Sequence, residues 1–381
     1  MPEEKKKRKG ERADGRIQVR VNIGRDEKGR IKYKYFYGKT QKEAKEKADK
    51  YKSEIITYGK ALDTTKTTLS EWTYKYLFNK VLSTVASSTF ERMVSIYNTH
   101  IKDTDIGNMN IQEIEPIHIQ GFLNSHTSLS KSSIKKIYGL LNGSLKAAVS
   151  NNLIRTNPAE DVKLPNSESK PKEIEILTRE EQHAYMSQLG HYRNGVVFLT
   201  ALYTGMRIGE LLALKWDNVD FENKTIKVCE SAKRVKVYDN KGQSENKMVT
   251  KEPKTVKGNR VIPISDTLAN ILNDISEDKQ GFVFKSRTGG QLQHSKVWDA
   301  HCRICNKAKI RHIGIHALRH TFASRCIENG VDIKTVSDLL GHADVAITLN
   351  VYVHSNDQTK RAAATSIENL YSDILKEPSK K

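Results

Sequence analysis

The sequence predicts a multidomain protein of three parts. These are a small α+β module with a three-stranded sheet, an all-α helical bundle, and a mixed, mainly-α domain with a small antiparallel sheet. Three observations support this. The 381 residues exceed what one core normally organises. Apolar residues alternate with polar ones near the N-terminus, as in strands, and recur every three to four residues further on, as in helices. Polar, linker-like stretches at 60–68 and 164–172 separate the parts, which we bound at 1–62, 66–165 and 172–381.

Composition narrows the class of partner. The formal net charge of +19 favours a polyanion, with nucleic acid the leading candidate. The hydrophobic fraction of 37% suits packed cores, and no apolar run is long enough for a membrane helix, so no membrane partner is expected. The opening PEEKKKRKG is not followed by an apolar segment, so we expect no signal peptide. Only four cysteines are present, which fits the reducing cytoplasm.

The first module is predicted to be a basic sheet backed by one helix. Residues 16–23 and 30–37 alternate as half-buried strands, and Thr40 with Glu43 forms a capping box for a helix to about residue 58. One face of the second strand would be apolar, with Ile31, Tyr33, Tyr35 and Tyr37. The opposite face would be basic and free to enter a DNA groove, or simply solvated. The candidate DNA contacts here are Arg16, Arg20, Arg30, Lys32 and Lys34.

The second part shows helical periodicity only. Four apolar stripes predict four helices, and Pro158 ends the pattern. The stripes are Leu69, Trp72, Tyr76 and Leu77; Phe90, Val94 and Tyr97; Ile114, Ile117 and Phe122; and Ile134, Ile137, Leu140, Leu141, Leu145 and Ala148. Lys131, Lys135 and Lys136 are candidate phosphate contacts, although lysines that face solvent would look the same.

The third part mixes helices and strands. Thr178 and Glu181 cap a first helix, and GVVFLTALYTG predicts a buried helix that ends at Gly205. Strands are predicted at 225–230, 260–264 and 281–284, with a long polar hairpin between the first two. Three further helices are predicted to follow. Cys302 and Cys305 form a CxxC in the first of these, but no second pair lies at zinc spacing, so we predict no metal site.

Four short motifs in this third part carry side chains suited to phosphoryl transfer. They are TGMRIGE (204–210), HALRH (316–320), LLGH (339–342) and ITLNVY (347–352). Arginines clamp the non-bridging oxygens of a phosphodiester, histidines move protons near neutral pH, and a tyrosine oxygen can attack phosphorus. Each motif alone also fits an ordinary surface or core position. Together and in this order they indicate one site, formed by Arg207, His316, Arg319, His342 and Tyr352.

This set of residues resembles the tyrosine recombinase (phage-integrase) family over residues 172–360. The two preceding modules resemble the arm-type DNA-binding and core-binding domains of integrases from prophages and conjugative transposons of Gram-positive bacteria. The resemblance implies that Tyr352 forms a 3′-phosphotyrosine while a hairpin lysine protonates the departing 5′ oxygen. Lys254 is the better positional match for that lysine, and Lys257 is the alternative. No cofactor or metal would be needed.

The resemblance also implies a cyclic homotetramer on two DNA duplexes. The amphipathic tail after residue 354 would then dock on a neighbouring protomer; docking on its own domain is the alternative. The need for an excision directionality factor or a host DNA-bending protein stays open. The implied function is site-specific recombination that integrates and excises a mobile element. A type IB topoisomerase-like enzyme would share the chemistry, and a DNA-binding protein with an inactive catalytic domain is a third hypothesis.

Overall fold

A computed structural model describes residues 14–25, 30–58, 62, 65–170, 173–252, 256–275 and 278–353, together with positions 365, 368 and 371. The chain divides into two compact units, 1–170 and 171–381. Within the parts described, no helix is both long and apolar enough to cross a lipid bilayer.

The described residues of the N-terminal module form two antiparallel strands and a helix. Strands β1 (Ile17–Arg25) and β2 (Ile31–Gly38) pair, and α1 (Gln41–Tyr58) packs on them. The predicted cap is confirmed: the Thr40 hydroxyl accepts the Glu43 N–H at 3.2 Å, and the Glu43 carboxylate accepts the Lys39 N–H at 2.8 Å. A third strand was predicted, but residues 14–25 and 30–58 contain two.

The prediction of which face of β2 is covered by the helix is wrong. The register pairs Val19 with Phe36 and Val21 with Lys34, so the aliphatic face of β1 shares a side with Phe36 and Lys34. Helix α1 covers this side, where Phe36 lies 5.0 Å from the Tyr51 ring and the Lys34 ammonium 4.8 Å from it. The residues predicted to be internal, Ile31, Tyr33 and Tyr35, are instead exposed. Cross-strand register, rather than side-chain polarity, decided which face the helix covers.

The remainder of the first unit is helical, as predicted, but residues 65–170 contain five α-helices where the stripes predict four; the short α4 has no stripe of its own. Its helices are α2 (Leu69–Tyr76), continued by a π turn to Val81; α3 (Ser87–Ile96), continued to Ile101; α4 (Asp105–Asn108); α5 (Pro116–Asn124); and α6 (Lys131–Ser150). The stripe predicted for α6 is buried in full. In α5 the prediction fails at Ile117, which is 68% exposed. Ile119 and Leu123, four apart, form the buried face instead, and Ile117 points away from it.

Where it is described, the second unit is mainly helical with two small sheets. Its helices are α7 (Arg179–Leu189), α8 (Gly195–Thr204), α9 (Ile208–Ala213), α10 (Asp266–Asp274), α11 (His294–Lys307), α12 (His316–Glu328), α13 (Ile333–Leu340) and α14 (Val345–Val353). One antiparallel sheet has the order β3 (Val219–Asp220), β4 (Thr225–Val228), β7 (Arg260–Pro263). The predicted hairpin is confirmed as β5 (Ser231–Tyr238) and β6 (Ser244–Lys251).

One strand prediction in this unit is wrong. Residues 281–284 make only isolated contacts, in which Val283 donates its N–H to the Leu214 carbonyl at 2.9 Å. The core of the unit is formed by α8, buried almost throughout its length, and by α7, α9, α11 and α12 around it. Helices α13 and α14 pack against α12. This arrangement brings the ends of α8 and α13 to the start of α9.

Candidate active site

Arg207 is placed by a sharp turn between two helices. Helix α8 ends at Gly205, whose φ is +63°, and Arg207 is the N-cap of α9. A Cβ at Gly205 would lie 2.5 Å from the Phe322 ring, so both conformation and space require glycine there. The Arg207 side chain is 36% exposed, which leaves part of the guanidinium accessible.

Arg319 lies on the neighbouring helix α12 and is 2% exposed. Its Nη1 donates to the Gly205 carbonyl at 2.7 Å, and its Nη2 donates to the Leu340 carbonyl at 2.7 Å. The guanidinium is therefore fixed by peptide oxygens from two separate helix ends. Its pKa is lowered to about 9 by burial and by the charge of Arg207, with Glu210 acting in the opposite direction. The group stays cationic at neutral pH and would gain from a nearby anion.

The C-terminal end of α13 accepts hydrogen bonds from several cations in succession. Arg260 Nε donates to the Leu339 carbonyl at 2.6 Å, Arg319 to Leu340, and Arg207 Nη2 to Gly341 at 3.2 Å. Lys257 Nζ then donates to the Ala343 carbonyl at 3.2 Å. The last carbonyls of a helix lack partners within the helix and carry its partial negative charge. We call Leu339, Leu340 and Gly341 the carbonyl end of α13; it holds three guanidinium groups close together.

Glu210 is the carboxylate beneath this cluster. It is 3% exposed and accepts Arg207 Nη1 at 2.8 Å and the Arg207 N–H at 2.9 Å. Arg260 donates to the same carboxylate at 2.9 and 3.2 Å. Burial alone would raise the pKa of Glu210, but the hydrogen bonds and charges of Arg260 and Arg207 outweigh it and hold that pKa below its usual value. The carboxylate is therefore ionised, and its two contacts with Arg207 orient that side chain.

His342 follows Gly341, the αL stop of α13 with φ +66°. The imidazole is 5% exposed, and its Nδ1 lies 2.9 Å from the Thr348 hydroxyl. Burial, together with the charges of Arg319 and Arg207, lowers the pKa of His342 to about 4. The ring is thus neutral at physiological pH. Thr348 fixes one nitrogen and leaves the other to act on a substrate.

His316 begins α12, one turn before Arg319. The His316 side chain is exposed, but partial desolvation by the surrounding chain and the charges of Arg319 and Arg207 lower its pKa, so the imidazole is neutral near pH 7 and able to accept a proton. Its ring lies 5.4 Å from that of His320, whose pKa is lowered to about 4 by burial and by His316. A cavity of about 740 Å³ opens beside Arg207 and His316, with Trp298 and Met248 in its wall.

Two predicted catalytic side chains lie outside the described residues. Lys254 falls in 253–255, so its placement relative to Lys257 is not described. The backbone of Tyr352 lies in α14, which packs against α12 and α13, but its side chain is not described. The tail after residue 354, predicted to bridge protomers, is likewise outside them except for three single positions. Arg207, His316, Arg319 and His342 are the predicted residues that the structure brings together.

Sequence reasoning missed two side chains of this cluster, Arg260 and Thr348. The Arg260 partners Glu210 and Leu339 lie 50 and 79 residues away, so no local pattern marks the contact. Thr348 lies within ITLNVY and contacts His342 six residues earlier. Its hydroxyl between the apolar Ile347 and Leu349 was a signal that could have been used.

The predicted DNA-contacting residues are distributed over the first unit. Arg16 is exposed and paired with Asp14 at 2.8 Å, and Arg20 lies 4.8 Å from the Tyr33 ring centre. Arg30 is exposed; Lys32 is also exposed but shares the helix side of the sheet with Lys34, two residues further on, so the predicted free basic face is wrong for both lysines. Lys131, Lys135 and Lys136 are exposed on α6. Among the described residues, no group of three or more histidine, cysteine or acidic side chains could hold a metal ion.

Comparison with known proteins gives the class. Residues 171–359 match the phage integrase family, and residues 68–126 match the N-terminal SAM-like domain of phage integrases. A XerC-like tyrosine recombinase of Caldanaerobacter subterraneus subsp. tengcongensis is 33% identical over 93% of this chain and 96% of its own length. The chain belongs to the phage integrase family and is a tyrosine-type site-specific recombinase.

Further likenesses are with proteins of mobile elements. The integrase of Staphylococcus phage L54a is 29% identical over 71% of this chain and 84% of its own. The fold is similar to that of the Tn1549 transposon integrase in complex with a circular intermediate DNA. Its TM-score is 0.61 at 22% identity, over 79% of this chain and 99% of that one. The predicted family and the predicted enzyme class are thus confirmed.

Proposed function

We propose that this recombinase binds one scissile phosphate between Arg207 and Arg319 and cleaves it with Tyr352. The main support for this proposal is the carbonyl end of α13, where both guanidinium groups are bound immediately before His342. Two fixed cations and two neutral imidazoles form a receptor for one tetrahedral anion. Arg207 is accessible to the substrate, and Arg319 adds positive charge from the protein interior.

In the proposed cleavage step the Tyr352 oxygen attacks phosphorus as the bond from phosphorus to the 5′ oxygen breaks. The tyrosine proton passes to His316, which is neutral and can accept it. The 5′ oxygen takes a proton from Lys254, or from Lys257 as the alternative. His342 donates a hydrogen bond to a non-bridging oxygen. The products are a 3′-phosphotyrosine and a free 5′ hydroxyl, and attack by a 5′ hydroxyl of another duplex reverses the step and exchanges strands.

The other parts of the chain have proposed roles in DNA assembly. We assign 1–62 to arm-site DNA, 66–165 to the crossover site, and 172–381 to catalysis with a protomer-bridging tail in a tetramer on two duplexes. The sheet face that carries the exposed Arg16, Arg20 and tyrosines supports the first assignment, since guanidinium and aromatic groups bind phosphates and bases. The substrate would be a mobile element, recombined in the bacterial cytoplasm.

The test is covalent capture on a nicked suicide duplex that carries the crossover site. Wild type should form a protein–DNA adduct, and Tyr352→Phe should form none while binding the duplex normally. Tyr203→Phe is the matched control, since Tyr203 lies partly exposed on α8 and should leave capture unchanged. An adduct that survives Tyr352→Phe would place the nucleophile elsewhere.

Strand exchange separates the recombinase from a nicking and resealing enzyme. Two labelled duplexes with crossover sites should yield recombinant products, in amounts that depend on the presence of both sites. Relaxation of supercoiled DNA without any exchange would instead indicate the topoisomerase-like reaction.

A further inference from the structure

Arg260 differs from the two arginines proposed to bind phosphate. Its side chain is 7% exposed, and four hydrogen-bond donor positions of the guanidinium are directed into the protein. Nε donates to Leu339, Nη1 to Glu210 and to the Gly258 carbonyl at 3.3 Å, and Nη2 to Glu210. A guanidinium has five N–H groups, so little of this one remains for a substrate.

Two of the partners of Arg260, Glu210 and the carbonyl end of α13, are also the groups that hold Arg207. Glu210 accepts Nη1 of Arg207, and the carbonyl end of α13 accepts its Nη2 through Gly341. Arg260 binds that carboxylate with a two-pronged contact and binds the same helix end two residues earlier. It therefore links the α9 and α13 sides of the Arg207 site from β7, a third element.

We propose that Arg260 is a positioning residue for cleavage: by sharing Glu210 and the carbonyl end of α13, it fixes the direction in which Arg207 meets the scissile phosphate. The positive charge of Arg260 also keeps the Glu210 carboxylate in place. Without Arg260, the buried Glu210 carboxylate would either hold Arg207 more tightly or take up a proton and release Arg207. Either change misplaces a group that must be held to within a fraction of an ångström.

The charges around Glu210 determine the expected pH dependence. Arg260 and Arg207 contact it directly, and His316 and Arg319 of α12 act on it through space. Arg260 is the strongest of the influences that lower the pKa of Glu210. Removal of its charge lets the pKa of Glu210 rise, so the carboxylate protonates, and Arg207 loses its anchor, at a higher pH than in the wild type.

The experiment measures adduct formation on the suicide duplex, at saturating DNA, between pH 5.5 and 8.5. Arg260→Gln should slow cleavage about 100-fold near neutral pH, with DNA affinity retained and with a steeper loss toward acid than the wild type shows. Arg260→Lys keeps the charge but not the fork, so it should slow cleavage by a smaller factor and keep the wild-type pH profile. The double variant Glu210→Gln/Arg260→Gln should lack the acid loss, since it has no carboxylate to titrate.

Arg325→Gln is the matched control. Arg325 has the same kind of partners, a carboxylate (Glu328), a peptide carbonyl (Leu177) and a side-chain amide (Gln182), but it joins α12 to α7. Its loss should lower the thermal midpoint and leave the rate of folded enzyme and its pH profile unchanged. If Arg260→Gln does not fold, Arg260→Lys and the double variant carry the test.

Several results would overturn the inference. These are a wild-type rate in folded Arg260→Gln or in Arg260→Lys, a loss in Arg260→Gln that is equal at every pH, or an acid loss that persists in the double variant. The inference rests on the proposed function, and Arg207→Ala in the same assay separates the two. A normal rate in Arg207→Ala contradicts the proposed phosphate site itself. A slow Arg207→Ala beside a normal Arg260→Gln contradicts only the role of Arg260.

Discussion

The arginines of the catalytic unit and those of the N-terminal sheet are used in opposite ways. Arg319 and Arg260 are almost fully buried and bonded to peptide carbonyls and a carboxylate, whereas Arg16 and Arg20 are exposed beside tyrosine rings. Burial of a cation is costly unless every donor has a partner, and the carbonyl end of α13 supplies those partners. The buried set is rigid and suits stabilisation of a transition state. The exposed set can adjust and suits binding that depends on salt.

Substitution of Arg319 should cause the largest loss of cleavage rate. Lysine keeps the charge but cannot donate to Gly205 and Leu340 at once, so Arg319→Lys should reduce the adduct rate about 100-fold or more. Affinity for the duplex should change little. Single-turnover capture measures the rate, with Arg179→Lys, an exposed arginine paired to Glu328, as the control. Equal rates in the two variants would show that the buried fork is unimportant.

A smaller effect is expected one contact further out, at Thr348. Thr348→Val removes the hydroxyl that orients His342 and leaves a buried nitrogen without its partner, so cleavage should fall about 10-fold. Thr348→Ser keeps the hydroxyl and should retain most of the rate. If valine and serine behave alike in the capture assay, the hydroxyl does not position His342.

Substitution of the exposed arginines of the N-terminal sheet should change the salt dependence of DNA binding rather than the cleavage rate. Arg20→Gln should lower the slope of log affinity against log salt by about 1 on arm-site DNA, with cleavage at saturating DNA unchanged. Lys34→Gln is the comparison, since Lys34 faces α1 and should leave the slope unaltered. Filter binding over a salt series measures both; a larger change with Lys34→Gln would favour the opposite face.

The smallest effect concerns acid stability. His320 and His342 have pKa values lowered to about 4, against an ordinary value of 6.5. The unfolded chain therefore binds more protons than the folded chain between these values, and stability should fall as pH drops from 6.5 toward 4. His320→Asn should flatten part of this decline, measured as urea midpoints at pH 7.5 and 5. An unchanged difference between the two midpoints would mean that His320 does not titrate as described.

Local sequence signals accounted for much of the fold and for part of the site. Thr178 with Glu181, Thr40 with Glu43, and the helix end at Gly205 depend on neighbours a few residues away, and the structure confirms them. Contacts across long stretches of chain were not predictable. Arg260 joins Glu210 over 50 residues, and cross-strand register turned the tyrosines of β2 outward although their spacing indicated a core face.

The most direct test removes charge from the DNA rather than from the protein. A suicide duplex with a methylphosphonate at the scissile position lacks the negative charge that Arg207 and Arg319 are proposed to neutralise. The defects of Arg207→Ala and Arg319→Ala should shrink from about 100-fold on phosphate to less than about 10-fold on this substrate. Defects of undiminished size on the uncharged substrate would contradict a phosphate held between these two guanidinium groups.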